Sequence, residues 1–335
     1  MTLFATRRPD KRKWIEMENK VTPAVGRNDV SVLIAAFNAS PFLERAVSSA
    51  MNQGSSVLEI IVVDDCSTDA TLDIARRIAK QDERVKVVHL SKNVGPSGAR
   101  NAGLHVARGD WVAVLDADDA YAPGRLERLI QTGASEKADI VADNFAFYDP
   151  TSGTSGSSAA ALTSEITPVS TEAFLIHARP FGPDIDWGLL KPAFRRQFLI
   201  DRSLRYPEDS RHGEDFLLVM GALLAGAKYV VANFPGYLYT HRGSGWSRTQ
   251  INYDGQVKQS SKLLLDPRVA NDRKLVHLLN ARIRSIKRLS AERSTQSLIK
   301  DRRPFRLLAA ATTDWRIALS VLRKFKNKAA SVRIG

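Results

Sequence analysis

Residues 111–119 read Trp-Val-Ala-Val-Leu-Asp-Ala-Asp-Asp, so a short apolar run passes directly into three carboxylates. An apolar run of this length, bounded by polar residues, is the pattern of a strand covered on both faces. Alternation at the strand end would turn Asp116 and Asp118 to the same side, where their oxygens could share one hard divalent cation such as Mg2+ or Mn2+. Such a cation can bridge phosphates. A solvated turn has the same appearance, so the surrounding sequence has to decide.

Working outward, Val30 to Phe37, Val57 to Val63 and Arg84 to Leu90 are further apolar runs, and Ala138 to Phe147 follows. Helical periodicity separates them at about Pro41 to Asn52, Asp69 to Lys80, Ser97 to Ala107 and Pro123 to Gln131. Pro41 and Pro123 stand near helix starts, where the missing N–H costs nothing, and Asp69 is placed as an N-cap. This alternation predicts an α/β fold: an open, mostly parallel sheet with helices on both faces. Ligands of such sheets bind beyond the carboxyl ends of the strands. The Ser/Gly-rich stretch Asp149 to Ala161 reads as a loop. Beyond it come an aromatic segment from Asp186 to Phe194, a helix from Glu214 to Leu224, and strands near Lys228 to Val231 and Tyr237 to His241. The expected organisation is a leader (1–28), a nucleotide-binding half (29–145), an acceptor-binding half (146–252) and a basic helical tail (253–335).

The 335 residues carry 49 Lys+Arg and 36 Asp+Glu, a net charge of +13. That charge is not spread evenly. Residues 273–335 hold 17 basic and 3 acidic side chains, which leaves 32 and 33 in the first 272. The body is therefore neutral, and the excess belongs to a tail in which Leu275, Leu278, Leu279, Ile283, Ile286 and Leu289 recur at helical spacing. A basic amphipathic helix suits an anionic membrane surface; packing on the body is the alternative. The longest apolar stretch, Phe216 to Ala227, is too short to cross a bilayer, and no signal-peptide core follows the basic N-terminus. With a single cysteine, Cys66, the expectation is a cytoplasmic protein that touches the inner membrane face from outside the bilayer.

A second acidic motif, Val62-Val63-Asp64-Asp65-Cys66-Ser67-Thr68-Asp69, ends the strand before. Thr68 and Asp69 suit helix capping, whereas Asp64 and Asp65 come too early for it and could accept from a base N–H. Between the acidic motifs lies Asn93-Val94-Gly95-Pro96-Ser97-Gly98-Ala99-Arg100-Asn101, whose small residues allow a helix to begin close to a ligand. Arg100 is its candidate phosphate or sugar partner.

Taken with Val30 to Asn38, these motifs resemble family 2 glycosyltransferases of the GT-A fold, over about residues 30 to 245. Among them the chain is most similar to the bacterial transferases of succinoglycan and related exopolysaccharide synthesis. The resemblance implies an inverting transfer of one sugar, glucose from UDP-glucose, to a lipid-linked saccharide. It implies that Phe37 stacks on uracil with Ala35 lining the pocket, where many relatives have tyrosine in place of Phe37. Asp65 would read the base, Asp116 would serve the ribose or the metal shell, and Asp118 would ligate the metal. In His212-Gly213-Glu214-Asp215-Phe216 the implied base is Asp215, with Glu214 orienting it or touching the acceptor. Acids in a first helical turn are also favoured by the macrodipole alone. His241 would be a further metal ligand, and Arg242, Ser244 and Trp246 part of a lid. Trp187 and Trp246 would be sugar-stacking platforms, or core.

Other classes fit less well. A dinucleotide-binding oxidoreductase should show G-x-G-x-x-G after the first strand, where Ala35-Ala36-Phe37-Asn38 stands. A membrane-embedded synthase would have spans and a Gln-x-x-Arg-Trp motif, both missing from the sequence. A nucleic-acid-binding protein is suggested by the tail alone, so no nucleic-acid partner is expected.

Overall fold

The computed structural model describes residues 28–210, 212–240, 251–301 and 303–322. Most of the expected leader lies outside the described residues.

The first half is the predicted alternation: β1 (Val30–Ala36), α1 (Leu43–Met51), β2 (Val57–Asp64), α2 (Thr71–Ala79), β3 (Val85–His89), α3 (Gly95–Val106) and β4 (Trp111–Asp116). Side-chain alternation along β1 divides the core in two. Val32 and Ile34 face Leu43, Ala46 and Val47 of α1. Leu33 lies on the other face with Ile61, Val63 and Ala99 of α3. Both faces are dry, which is why these strands read as unbroken apolar runs. Asp69, expected as the N-cap of α2, stands one residue too early: the cap is Ala70, which makes no side-chain cap bond, and Asp69 accepts from the Thr71 N–H at 3.0 Å.

The second half comprises β5 (Ala120–Tyr121), α4 (Arg125–Ser135), β6 (Ile140–Asp149), β7 (Thr154–Ser158), β8 (Ile166–Val169), α5 (Thr171–His177), β9 (Ala193–Arg195), α6 (Arg196–Asp201), α7 (Glu214–Leu224) and β10 (Tyr229–Thr240). Among the described residues the strands form one sheet in the order β3-β2-β1-β4-β9-β6-β10-β5, with β7 on β6 and β8 on β10. Three sequence expectations need correction. The two short strands near 228–231 and 237–241 are a single strand, β10, whose register shifts around Pro235. Pro235 lacks an N–H, and the Pro-Gly pair there had looked like a break. The stretch taken as a loop, 149–161, contains β7, paired antiparallel to β6. The aromatic segment supplies β9, which runs antiparallel between β4 and β6 and joins the two halves of the sheet. Three residues are too few to show a period.

A fully buried ion pair braces that junction. Arg125 donates to Asp143 through Nε at 2.8 Å and Nη2 at 2.6 Å, and Nη2 also donates to the Lys191 carbonyl at 2.7 Å. Its guanidinium lies over the rings of Tyr121 and Tyr237. Beneath α4, Gly133 is obligatory in a different sense, because a Cβ there would come within 2.7 Å of the Trp111 ring.

After α8 (Tyr253–Leu263) and α9 (Pro267–Ala270), the long helix α10 (Arg273–Lys300) corrects the reading of the tail. Leu275, Leu279, Ile283 and Ile286, expected to face a membrane, are buried. Leu275 and Leu279 belong to the main core. Between them and Ile286, Arg282 places its guanidinium 3.5 Å from the centroid of the Phe216 ring and donates to the Ala178 carbonyl. Burial, partly opposed by Asp186, pulls Arg282 down to about 10. The exposed apolar side chains lie further on: Ile299, Phe305 and Leu308 on or near α11 (Pro304–Thr313), and Trp315, Leu319 and Leu322 in the helical residues 315–322.

Replacing Arg125 with methionine strands the Asp143 carboxylate in the core, a loss of about 3–5 kcal/mol for a broken buried pair. Urea unfolding should show the midpoint falling accordingly, while Arg77→Ala, which removes an exposed pair with Glu44, should move stability by less than about 0.5 kcal/mol.

Candidate active site

Register places the functional residues level with one another. β1 pairs with its neighbours so that Ala36 stands beside Asp64 and Ala35 beside Asp116, which brings three strand ends to one edge of the sheet. Phe37 follows β1 directly and is 40% exposed there, with Ala35 half-buried below it. Asp65 is buried, and its two oxygens accept the N–H groups of Val94 at 2.7 Å and Gly95 at 2.9 Å. It therefore serves the N-terminus of α3 as a remote cap, which fixes the glycine-rich turn against the end of β2.

Helix α3 then delivers Arg100 to the centre of the site. Its guanidinium donates from Nη2 to Asp116 Oδ1 at 2.6 Å, and from Nη1 to Glu214 Oε1 at 2.7 Å and Asp215 Oδ1 at 3.1 Å. Lys191 completes the network: its ammonium lies 2.6 Å from Asp215 Oδ2 and 2.9 Å from Asp116 Oδ2. Asp116 and Asp215 are thus bridged twice, once by each cation. Burial opposes charge on Arg100, Asp116 and Lys191. For Lys191 the adjacent Asp116 and Asp215 outweigh it and hold the ammonium well above its usual range. For Asp116, Lys191 and Arg100 outweigh it and hold the carboxyl well below the usual range. Tyr206 packs against Arg100, its ring centroid 5.3 Å from the guanidinium carbon.

Glu214 and Asp215 both point into this network from the first turn of α7, one to Arg100 alone and the other to both cations. The residue before them, Gly213, has φ +80, a conformation that glycine adopts without strain and that swings the chain into the helix. The cluster 116–119 differs in detail from expectation. β4 ends at Asp116, so a turn rather than strand alternation gathers the carboxylates. Asp119 is tied down, accepting from Tyr237 Oη at 2.8 Å and from the Thr240 N–H at 2.8 Å. Burial, reinforced by the charge of Asp116, pushes its carboxyl up to about 7. Arg45 reaches over from α1 to hold the Asp118 carbonyl at 2.8 Å.

This cluster fits a divalent cation. Asp116, Asp118 and Asp119 each offer an oxygen, all within 4.8 Å of one another, and an all-oxygen set suits Mg2+ or Mn2+. Charge points the same way. Among the described residues Asp116, Glu214 and Asp215 pair with Arg100 and Lys191, Arg45 donates to the Asp118 carbonyl, and Asp118 and Asp119 add to an acidic site in which a cation would favour the entry of a diphosphate. Such an ion would neutralise charge on a leaving phosphate.

Of the remaining expectations, His241, Arg242, Ser244 and Trp246 lie outside the described residues. Trp187 is buried and stacked on His177 with 4.2 Å between ring centroids, so it belongs to the core and offers no sugar platform. Its place in a short 3-10 turn, Trp187–Leu189, under α7 explains the burial. Lys191, Tyr206 and Tyr237 were not foreseen. Lys191 had left a signal, since it is the lone charge in the apolar stretch Leu189-Leu190-Lys191-Pro192-Ala193-Phe194.

The family model for glycosyl transferase family 2 matches residues 31–195. The chain is 37% identical over 227 residues to the succinoglycan biosynthesis protein ExoO of Rhizobium meliloti (strain 1021), covering 68% of this chain and 65% of ExoO. It is 34% identical over 240 residues to ExoU of the same organism, covering 69% and 67%. Among solved structures, S. aureus TarS 1-349 in complex with UDP-GlcNAc has the same fold, with a TM-score of 0.60 and 22% identity over 75% of this chain and 72% of that one. The chain belongs to glycosyltransferase family 2, on a GT-A-type α/β fold.

Asp118→Ala removes one of the three oxygens without touching the Arg100 network. Mn2+ titration followed by calorimetry or electron paramagnetic resonance should show affinity falling at least tenfold, with the unfolding midpoint nearly unchanged.

Proposed function

We propose that the chain is an inverting, metal-dependent glycosyltransferase that moves one sugar from a UDP-sugar, with glucose as the expected sugar, to a lipid-linked saccharide in exopolysaccharide assembly. The observation that carries this reading is the double bridge between Asp116 and Asp215. It sets a carboxylate suited to general-base work beside the group that would hold the donor. Similarity to ExoO and ExoU, succinoglycan biosynthesis proteins, supports the pathway.

In this reading the uracil stacks on Phe37 over Ala35, with Asp65 at its polar edge, and the ribose lies against Asp116. Asp215 takes the proton from the acceptor hydroxyl as its oxygen bonds to the anomeric carbon. The bond from that carbon to the phosphate oxygen breaks on the opposite face, which inverts the configuration and releases UDP. Both oxygens of Asp215 are engaged, yet each keeps a second lone pair for the hydroxyl. Lys191 and Arg100, which touch both Asp215 and Asp116, would hold the two carboxylates in place. A Mg2+ or Mn2+ held by Asp116, Asp118 and Asp119 would offset the charge of the leaving diphosphate.

A lipid-linked acceptor implies work at a membrane surface. Among the described residues no helix is long and apolar enough to cross a bilayer. The surface that suits an anionic inner leaflet is the end of the basic tail. There Phe305 is 87%, Leu308 67% and Trp315 65% exposed, among Lys300, Arg303, Arg306 and Arg316. In this reading the membrane contact, within the described part of residues 273–335, lies in 299–301 and 303–322, since the first part of α10 is occupied by the body.

Asp215→Asn should retain UDP-glucose and Mn2+ binding and lose at least a hundredfold in transfer, measured as UDP release with a lipid extract as acceptor. Full turnover in that variant rules out Asp215 as the base. Release of GDP or dTDP instead of UDP, when their sugars are supplied, would overturn the donor assignment. The full chain should sediment with vesicles containing anionic lipid but not with neutral ones, and Phe305→Ser with Trp315→Ser should weaken that binding at least tenfold; equal binding by the double variant would remove this surface from consideration.

A further inference from the structure

The edge of the sheet that carries the catalytic network also ends a row of aromatic rings. Along β6, Asp143, Phe145 and Phe147 share a face by alternation, and pairing with β10 sets Phe145 beside Tyr237 and Phe147 beside Tyr239. The rings touch in sequence. Centroids are 5.4 Å apart for Phe145 and Phe147, 5.5 Å for Phe145 and Tyr239, 6.1 Å for Phe147 and Tyr239, and 5.9 Å for Tyr237 and Tyr239. Exposure rises along the row, from Asp143 enclosed by Arg125, through Phe145 at 2%, to Phe147 at 43%.

The inner end of the row is part of the active site. Tyr237 Oη donates to Asp119 and accepts the Asp116 N–H at 3.1 Å. Tyr239 lies within electrostatic reach of Lys191, Asp116 and Asp215. A single exposed ring means little by itself. This one is the outer edge of a rigid aromatic wall that begins at the catalytic carboxylates.

Position in the sheet decides what the wall would face. Phe37 and Asp65 stand at the ends of β1 and β2, on one side of Asp116, whereas Phe147 and Tyr239 stand on β6 and β10, across β9 on the other side. A nucleotide held at the first pair leaves the second for whatever attacks the donor. A pyranose with equatorial hydroxyls has apolar C–H faces and a polar rim, so it buries a face on an aromatic ring and needs hydroxyl partners around it. β7 is exposed and pairs with β6 beside Phe147; Thr154, opposite Asp149, shares the face of Phe147, whereas Ser155 and Ser158, opposite Tyr148 and Ala146, lie on the other face.

We propose that Phe147, backed by Tyr239, is the platform on which a pyranose ring of the saccharide acceptor stacks, with the Thr154 hydroxyl of β7 at its rim. The proposal rests on the transferase reading above and takes the place in the site once expected of Trp187. It has a direct test in saturation-transfer NMR on the full chain, with UDP, Mn2+-free Mg2+ buffer and cellobiose as the acceptor probe in one sample. Cellobiose ring protons should receive saturation in the wild type, at least fivefold less in Phe147→Ala, and near wild-type levels in Phe147→Tyr, while the UDP signal stays constant throughout. A cellobiose signal indifferent to Phe147→Ala, or absent from the wild type while UDP binds, overturns the platform. Loss of the UDP signal in Phe147→Ala also overturns it, by showing a structural role. Absence of a UDP signal in the wild type would instead defeat the transferase reading on which the platform depends.

Discussion

The guanidinium of Arg100 joins elements that lie far apart in the chain. It comes from a helix anchored at the end of β2, and it binds the carboxylate that ends β4 and the two that begin α7. A buried cation of this kind is tolerable only because acids surround it, and the acids are tolerable in such number only because Arg100 and Lys191 lie among them. Removing Arg100 or Lys191 leaves uncompensated carboxylates in a desolvated site. The network therefore fixes where α7 can start, and through α7 it fixes the position of Phe216, on which the C-terminal helix closes with Arg282.

The same mutual dependence bears on chemistry. The carboxylate that would hold the donor and the one that would act as base share both of their cations, so the electrostatic state of one is felt by the other. Lys191 reaches this position because Arg125, itself closed in a pair with Asp143, holds the Lys191 backbone carbonyl. The inner brace stiffens the outer network, and the aromatic wall of β6 and β10 grows from the same foundation. Rigid support of this sort is what allows side chains to be held ready for a reaction instead of being reorganised during it.

How far the site could be read from sequence varied with the locality of the signal. Asp65, Asp116 and Asp118 follow apolar strands, and Asp215 opens an apolar helix, so each sits at a visible change of pattern. Lys191 was visible only as an isolated charge in an apolar stretch, a signal that says something pairs with it but not what. Trp187 was read as a sugar platform because aromatic residues serve both in cores and at carbohydrate sites, and only its stacking on His177 separates the two. The tail misled in the same way. A basic amphipathic stripe suits a membrane or a protein surface equally, and in α10 the stripe meets the body.

The sequence by itself determined the α/β class, the order of strands and helices through residue 116, the edge of the sheet where the acids gather, and the family. These follow from periodicity and from short motifs, which are local properties of the chain. Tertiary structure alone decided that β9 runs antiparallel through the middle of the sheet, that 229–240 is one strand, that Arg100 and Lys191 bridge Asp116 to Asp215, and that Phe147 is exposed while Trp187 is buried. Each of these depends on residues brought together across tens of positions, where burial and charge pairing are settled by neighbours that no local pattern names.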